Sequence, residues 1–192
     1  MRPPKFNVEG DSHFVTTNVW HRQPLFVSRA LAQIVLDNLR HYSEALNYEL
    51  VGYVVMPDHF HALIYPRTVT PISKIMQCVK KYAAKQIIAA LRANQDFQMI
   101  QFPSHLEYIR HERAKCLDRE FPTLENFLVK KQRTENHNFE IWQESFYDFN
   151  VFTEKKMNEK LDYMHNNPVR WGLAESPADY AFSSFQKWYP DE

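Results

Sequence analysis

The sequence predicts an α+β sandwich, an antiparallel β-sheet with helices packed on one face, formed by a single domain over residues 1–192. Strand-like and helical segments follow one another in the order β-α-β-β-α, with a further strand and helix after an irregular stretch. Only Pro57 and Asp58 separate two of the strands, which indicates a tight hairpin and therefore antiparallel pairing. The composition, with 44% hydrophobic residues and no low-complexity segment, is typical of a globular core.

The first two elements are a strand and an amphipathic helix. Residues 13–20, HFVTTNVW, are rich in aromatic and β-branched residues and predict the strand. Ser28 predicts the N-cap of the helix that follows. The apolar residues of this helix recur every three or four positions: Leu31, Ile34, Val35, Leu39, Tyr42 and Leu46. This spacing places them on one helix face, which we expect to pack on the sheet.

A hairpin and a second helix come next. The two hairpin strands are predicted at residues 48–57, YELVGYVVMP, and 59–66, HFHALIYP. Thr70, followed by Pro71 at the first helical position, predicts the start of a helix that extends to about Asn94. Its buried stripe is predicted to consist of Ile72, Ile75, Met76, Val79, Ala83 and Ile87. The opposite face of this helix is therefore expected to be exposed.

The periodic pattern weakens in the second half of the chain. Charges of both signs mix with short apolar pieces over a stretch that we interpret as an insertion at about 94–140. Residues 140–152, EIWQESFYDFNVF, regain a strand-like pattern. A last helix is predicted from Thr153 to about Asn167, where Pro168 ends it.

Charge and cysteine content narrow the functional classes. Lysine plus arginine and aspartate plus glutamate number 23 each, so the net charge gives no indication of a nucleic-acid partner, although local patches still could. The only cysteines, Cys78 and Cys116, argue against a disulfide scaffold and a cysteine-rich zinc site. No apolar run approaches the length needed to cross a membrane. A cytoplasmic protein without a membrane partner is the expectation.

Two histidines occupy alternate positions of the second hairpin strand. His59 and His61 share one face of the strand, whereas Phe60 lies on the other face, where helices are expected. Two imidazoles so spaced can converge on one divalent cation, such as Mn²⁺ or Zn²⁺, and can also join water and phosphate oxygens around Mg²⁺. The same pattern is also found in ordinary exposed strand histidines. A metal site would need a third ligand.

The last predicted helix places a tyrosine away from its apolar stripe. The stripe consists of Met157, Leu161 and Met164. At roughly 100° per residue, Tyr163 points about 125° away from the centre of this stripe, and Asn167 points about 40° from Tyr163. Lys156 and Lys160 flank the same direction. Either Tyr163 is a surface residue that covers a sheet edge and Asn167 an ordinary helix terminator, or both belong to a site.

These residues together resemble a known family. The segments MPDHFHALI and LDYMHNNPVRWGL are similar to the single-tyrosine HUH transposases, specifically the group associated with repetitive extragenic palindromes (REP) in the IS200-like superfamily. His59, Phe60 and His61 match the family's histidine, hydrophobic residue, histidine pattern. Tyr163 matches its nucleophilic tyrosine, and Asn167 matches the polar residue four positions later that completes the metal site.

The resemblance extends over most of residues 12–93 and 141–188. The segments HFVTTNVWHRQPLF and WQESFYD are similar to the family's first strand and to the approach to its catalytic helix. The insertion at about 94–140 has no counterpart in this resemblance. The similarity is specific because several motifs occur together in the family's order.

The resemblance implies a ferredoxin-like fold and a DNA-binding transposase. The implied activity is metal-dependent cleavage and strand transfer of single-stranded, hairpin-forming DNA through a 5′-phosphotyrosine intermediate, with Mg²⁺ or Mn²⁺ as cofactor. It implies a monomer or homodimer that acts on the nucleoid of a bacterial cytoplasm. Two alternatives stay open. One is a domesticated hairpin-DNA-binding protein without transposition activity, and the other is an unrelated histidine-metal hydrolase that uses water as its nucleophile.

Further residues are candidates for supporting roles. The candidate DNA contacts are Lys160, Lys156, Arg170, Lys74, Lys81 and Lys85. The last three lie opposite an apolar stripe, where lysines commonly form only a solvated face. Asp58 is a candidate acceptor that orients a metal-binding histidine, or else simply a residue of the hairpin turn.

Overall fold

The computed structural model describes residues 11–93, 121–130 and 137–191. Within these ranges the strands are β1 (Ser12–Asn18), β2 (Tyr48–Met56), β3 (His59–Pro66), β4 (Leu128–Lys130), β5 (His137–Phe139) and β6 (Tyr147–Val151). The α-helices are α1 (Arg29–Ala45), α2 (Ile72–Arg92), α3 (Glu154–His165), α4 (Asn167–Arg170) and α5 (Phe185–Trp188).

The main sheet has four antiparallel strands in the order β2-β3-β1-β6. β2 and β3 form the predicted hairpin, with Pro57 and Asp58 at its turn. β1 and β3 lie in the centre of the sheet, and their register places Thr16 opposite His61. The predicted fold class, an antiparallel sheet in an α+β sandwich, is confirmed.

The two long helices, α1 and α2, pack together on the face of the sheet that carries Phe60. Asn38 of α1 donates a hydrogen bond to Gln86 of α2, at 2.7 Å. The six residues predicted to form the apolar stripe of α2 are all buried. Ser28 caps α1 as predicted, because its hydroxyl accepts a hydrogen bond from the Leu31 amide.

Helix α3 lies across the opposite face of the sheet. It approaches β2 closely at Gly52, where an added Cβ would lie 2.7 Å from Cδ2 of Leu161 and 3.4 Å from Cε of Met164. Leu161 and Met164 are buried there, and Met157 packs against the same core, so the predicted stripe faces the sheet. Glycine at position 52 is thus what allows α3 to lie against the strand.

The segment before α5 pairs with the outer edge of β2. The Val55 amide donates to the Phe182 carbonyl, and the Ser184 amide donates to the Tyr53 carbonyl, each at 2.9 Å. The carboxyl-terminal part of the chain therefore covers an edge that a free strand would expose.

The end of α3 differs from the prediction. The helix ends at His165 rather than at about Asn167, and Pro168 does not stop the helical path but lies in the first turn of α4. Asn166 between the two helices keeps a helical backbone, with φ −82° and ψ −5°. Proline is accepted at the start of α4 because the first amides of a helix need no intrahelical partner.

Other element boundaries shift by a few residues. β1 ends at Asn18 rather than at position 20, because the chain turns into a short 3₁₀ helix at Trp20–Arg22. Pro71 is the N-cap of α2 rather than its first helical residue. These shifts change no strand pairing.

Most of the predicted insertion at about 94–140 lies outside the described residues. In its described part, β4 and β5 pair with each other as a separate two-stranded sheet. The single-domain organisation with a peripheral insertion stays a prediction. No helix among the described residues is both long and apolar enough to cross a membrane.

Candidate active site

A cleft of about 570 Å³ opens on the α3 face of the main sheet. His59 and His61 of β3 form part of its wall, and Tyr163 of α3 and Asn167 of α4 form another part. The structure therefore brings together the four residues that the sequence assigned to one site. Lys160, one turn before Tyr163, also lines the cleft.

The two histidine rings face each other through the same ring atom. Their Nε2 atoms lie 3.2 Å apart, and both residues are 4% exposed. Burial lowers the pKa of His59, and burial together with the neighbouring His59 lowers the pKa of His61 well below its usual value. Both imidazoles are therefore neutral near pH 7 and can offer lone pairs.

Asp58 fixes the orientation and the tautomer of His59. The Nδ1–H of His59 donates to Oδ1 of Asp58 at 2.6 Å, while Oδ2 of Asp58 accepts from Nε of Arg22 at 2.7 Å. With its proton on Nδ1, the neutral His59 ring turns an unprotonated Nε2 towards His61. The turn residue Asp58 thus also has the orienting contact that the sequence offered as an alternative.

Arg22 reaches Asp58 because of an unusual backbone segment. His21 and Arg22 have positive φ values of 51° and 56°, which non-glycine residues adopt only where the surroundings hold them. The segment is tied to the hairpin turn by hydrogen bonds from the Val19 amide to the Asp58 carbonyl, 2.9 Å, and from the Phe26 amide to the Pro57 carbonyl, 2.8 Å. Arg22 consequently lines the cleft beside the histidines.

His61 is held from the neighbouring strand. Its Nδ1 lies 2.7 Å from the hydroxyl of Thr16, and its ring stacks on Phe14 with centroids 5.2 Å apart. A threonine hydroxyl can donate or accept, so it supports His61 whether or not its Nε2 carries a proton. Both ring nitrogens that face the cleft are therefore backed by a polar partner on the far side of their rings.

The nucleophile candidate lies directly beside the histidines. The Tyr163 ring is 5.6 Å from the His61 ring and 6.0 Å from the Phe14 ring, between centroids. Tyr163 is 39% exposed, whereas Leu161 and Met164 of the same helix are buried. The displacement from the apolar stripe that the sequence predicted is thus present, and it turns the ring towards the cleft.

Lys160 is held by aromatic rings. Its Nζ lies 4.8 Å from the centroid of Phe14 and 4.4 Å from that of Phe149, both cation–π contacts. Burial lowers the pKa of Lys160, and the charge of Lys156 lowers it further. The two rings thus direct the ammonium group towards the cleft.

The donor set fits a divalent metal ion. An ion about 2.1 Å from both Nε2 atoms, which lie 3.2 Å apart, would form an N–metal–N angle of about 100°, which suits octahedral and tetrahedral geometries. No group of three or more histidine, cysteine, aspartate or glutamate residues comes together in the described ranges. A third protein donor must therefore be of another kind, and the buried amide of Asn167 lines the same cleft. Two imidazoles and an amide oxygen leave coordination positions open for substrate and water.

The remaining candidates lie at different distances from the cleft. Arg170 stacks its guanidinium over the Tyr163 ring at 5.6 Å. Lys156 is exposed on α3 and pairs with Glu159. Lys74, Lys81 and Lys85 are exposed on α2, which packs on the other face of the sheet. Of these candidates, Arg170 and Lys160 thus contact aromatic rings that line the cleft, those of Tyr163 and Phe14. A DNA-binding role for any of the candidates stays a prediction.

Several cleft residues were missed by the sequence reasoning. Phe14 and Thr16 alternate on β1 and could have been found by placing that strand beside β3. Tyr147, which is 50% exposed at the cleft, shares this face of the sheet because it pairs with Thr16. The position of Arg22 could not be predicted, because its immediate neighbours in sequence include no glycine or asparagine, the residue types that most readily adopt a left-handed backbone.

Comparison with known proteins identifies the class. Residues 9–102 match the family described as "Transposase IS200 like". This match covers the β1–α2 region with the histidine pair, just under half of the chain, and identifies this region as IS200-like.

Over a larger part of its length the chain is similar to REP-associated proteins. It is 24% identical over 140 residues to the "Putative REP-associated tyrosine transposase" of Haemophilus influenzae, covering 73% of this chain and 60% of that protein. The chain thus spans only about 60% of the length of this curated relative. A solved structure, a REP-associated tyrosine transposase bound to a REP hairpin, superposes with a TM-score of 0.65 at 16% identity. The superposition covers 100% of this chain and 86% of the other, and it shows a shared fold.

Proposed function

We propose that the protein cleaves and rejoins single-stranded DNA, with Tyr163 as the nucleophile. The observation that carries this proposal is the Tyr163 ring, 5.6 Å from the His61 ring and open to the cleft that both line. The Tyr163 oxygen forms a bond to phosphorus while the bond from phosphorus to the 3′-oxygen breaks. One diester replaces another, so the bond energy is kept in a 5′-phosphotyrosine and the free 3′-hydroxyl can later reverse the reaction.

The cleft residues have distinct roles in this reaction. His59 and His61, with Asn167, would hold a divalent cation, for which Mg²⁺ and Mn²⁺ are the expected ions. Such an ion, when bound, supplies Lewis-acid polarisation of a non-bridging phosphate oxygen. Asp58 keeps Nε2 of His59 free of a proton, through the 2.6 Å hydrogen bond to Nδ1. Phe14 supports both the His61 and the Tyr163 ring and thereby fixes the direction of attack.

The proposed substrate is hairpin-forming single-stranded DNA. The basis of this proposal is the similarity to REP-associated proteins, one of which was solved with a REP hairpin. Arg170 and Lys160 are the proposed DNA contacts next to the cleft, and Lys156 lies one turn before Lys160 on α3. Phosphate contacts of this kind supply affinity without reading sequence.

The test is covalent capture of labelled DNA. The protein is incubated with hairpin-bearing single strands and Mn²⁺, and the products are separated by denaturing electrophoresis. We expect an adduct that survives denaturant with the wild type and none with Tyr163→Phe. The matched control is Tyr147→Phe, which removes a hydroxyl from the same cleft and should leave the adduct intact.

Other outcomes identify the alternatives. DNA binding without any cleavage in the presence of Mn²⁺ would contradict the proposal and indicate a protein that only binds hairpins. Cleavage that persists in Tyr163→Phe, with no adduct in either protein, would instead indicate a hydrolase with water as nucleophile.

A further inference from the structure

The charges around the cleft are unbalanced. Arg22 and Lys160 line it, and no aspartate or glutamate does so in the part of the chain that the structure describes. Asp58 lies beneath the cleft wall, 1% exposed, where it is engaged by Arg22 and His59. Asp58 offsets the charge of Arg22 from beneath the wall, whereas Lys160 at the surface of this concave site has no such partner among the residues described, so the site attracts an anion.

Lys160 is the cation that accounts for most of this imbalance. Its ammonium group contacts the faces of Phe14 and Phe149, and no carboxylate within the described ranges forms an ion pair with it. Glu159, its neighbour in sequence, pairs instead with Lys156. An ammonium group that is held against rings and forms no ion pair can bind a phosphate, which is its complementary ligand.

The metal donors add no negative charge. Two imidazoles, which bind a metal ion in their neutral form, and one amide would leave a divalent cation with its full charge, next to the charges of Lys160 and Arg22. Both cations line the same cleft as the two histidines. Repulsion between like charges in a concave, partly buried site weakens cation binding until an anion enters.

We propose that Lys160, assisted by Arg22, makes the cleft bind a phosphodiester and a divalent cation together, each only weakly without the other. This inference rests on the proposed function for the identity of the anion. It adds that DNA and the cation depend on each other for binding. Because coupling between two ligands is reciprocal, the phosphodiester tightens cation binding by the same factor by which the cation tightens phosphodiester binding. A free cation is thereby kept out of the cleft until DNA is present.

The test measures Mn²⁺ affinity rather than activity. Free Mn²⁺ is followed by electron paramagnetic resonance while the full chain is titrated, alone, with dimethyl phosphate, and with a hairpin oligonucleotide. Trimethyl phosphate, the neutral triester that has one more methyl group and no charge, is the ligand control. The oligonucleotide arm uses Tyr163→Phe so that no cleavage occurs, and each anion is also titrated without protein as a blank.

We expect dimethyl phosphate and the oligonucleotide to tighten Mn²⁺ binding at least about fivefold, the lower range for coupled sites, and trimethyl phosphate to have no effect. Lys160→Met should bind Mn²⁺ more tightly than the wild type when no anion is present and should lose most of the enhancement. Lys155→Met makes the same charge change on an exposed position of the same helix and should behave as the wild type.

Three results would overturn the inference. The first is an Mn²⁺ affinity that neither anion changes, and the second is an enhancement that Lys160→Met leaves intact. The third is undiminished Mn²⁺ binding in the double variant His59→Ala, His61→Ala, since the bound ion would then lie elsewhere. A failure of Tyr163 to form an adduct is detected in a separate assay and would contradict the proposed function without changing these affinities.

Discussion

Asp58→Asn is expected to weaken the cation site more than its small structural change suggests. The substitution keeps the shape of the side chain but removes the charge that accepts from both Arg22 and His59, at 2.7 Å and 2.6 Å. The asparagine oxygen can still accept from Nδ1 of His59, but its amide nitrogen then turns a donor towards the donor of Arg22. The asparagine side chain can therefore not accept hydrogen bonds from His59 and from Arg22 at the same time.

The size of the effect follows from burial. Hydrogen bonds to charged groups contribute about 1.5–3 kcal/mol each and neutral ones about 1, so the two weakened contacts lower the free energy of unfolding by about 2–3 kcal/mol. This loss lies at or below the lower end of the cost of breaking a buried ion pair, about 3–5 kcal/mol, because the Arg22 side chain is 37% exposed and water can solvate it. Loss of the orienting carboxylate typically lowers metal affinity about 10–100-fold.

The assay combines urea unfolding with Mn²⁺ titration in the presence of dimethyl phosphate. The matched control is Asp148→Asn, because Asp148 also pairs with a buried histidine, His13 at 2.9 Å, but on the other side of the sheet. This control should lose stability and keep its Mn²⁺ affinity. An Asp58→Asn protein with unchanged affinity, or a control that loses affinity equally, would refute the reasoning.

Two further variants test the packing around the cleft. Gly52→Ala adds a Cβ that would lie 2.7 Å from Cδ2 of Leu161, so it should lower the free energy of unfolding in urea by about 1–3 kcal/mol. The same clash should displace α3 and slow adduct formation while DNA binding stays unchanged. Normal adduct rates would contradict this. Burial lowers the pKa of His165 to about 4, and its Nδ1 has no hydrogen-bond partner among the described residues. Because the unfolded chain takes up this proton near pH 6.5, stability should fall as the pH drops from about 6.5 to 4, by about 1–2 kcal/mol at pH 5. His165→Gln should reduce this slope and leave the part that the buried His59 and His61 contribute, whereas His41→Gln, at an exposed position of α1, should retain the full slope.

The parts of the fold that the sequence predicted are those governed by local periodicity. The buried stripe of α2 and the common face of His59 and His61 follow from 3.6- and 2-residue repeats, and the structure has both. The departure of Tyr163 from such a repeat was also predicted, but the repeat alone left a surface tyrosine as an alternative. The family resemblance, rather than the periodicity, assigned Tyr163 to the site.

The parts that sequence could not predict depend on contacts between distant segments. Arg22 reaches Asp58 only because two consecutive residues adopt positive φ, and the segment HRQPL contains no glycine or asparagine to signal it. Similarly, the pairing of Ser183 with Val54 joins segments far apart in the chain, and the tail before α5 has no strand-like alternation. Such features are held in place by tertiary hydrogen bonds rather than by local preference.

The most direct measurement of the central claim is the position of the covalent link. The denaturant-stable adduct is digested with nuclease and trypsin, and the modified peptide is identified by mass spectrometry. Cleavage after Lys160 and Arg170 releases residues 161–170, LDYMHNNPVR, whose single tyrosine is Tyr163, and we expect the nucleotide mass on this peptide. A nucleotide on residues 134–155, whose single tyrosine is Tyr147, would contradict the assignment of Tyr163 as nucleophile.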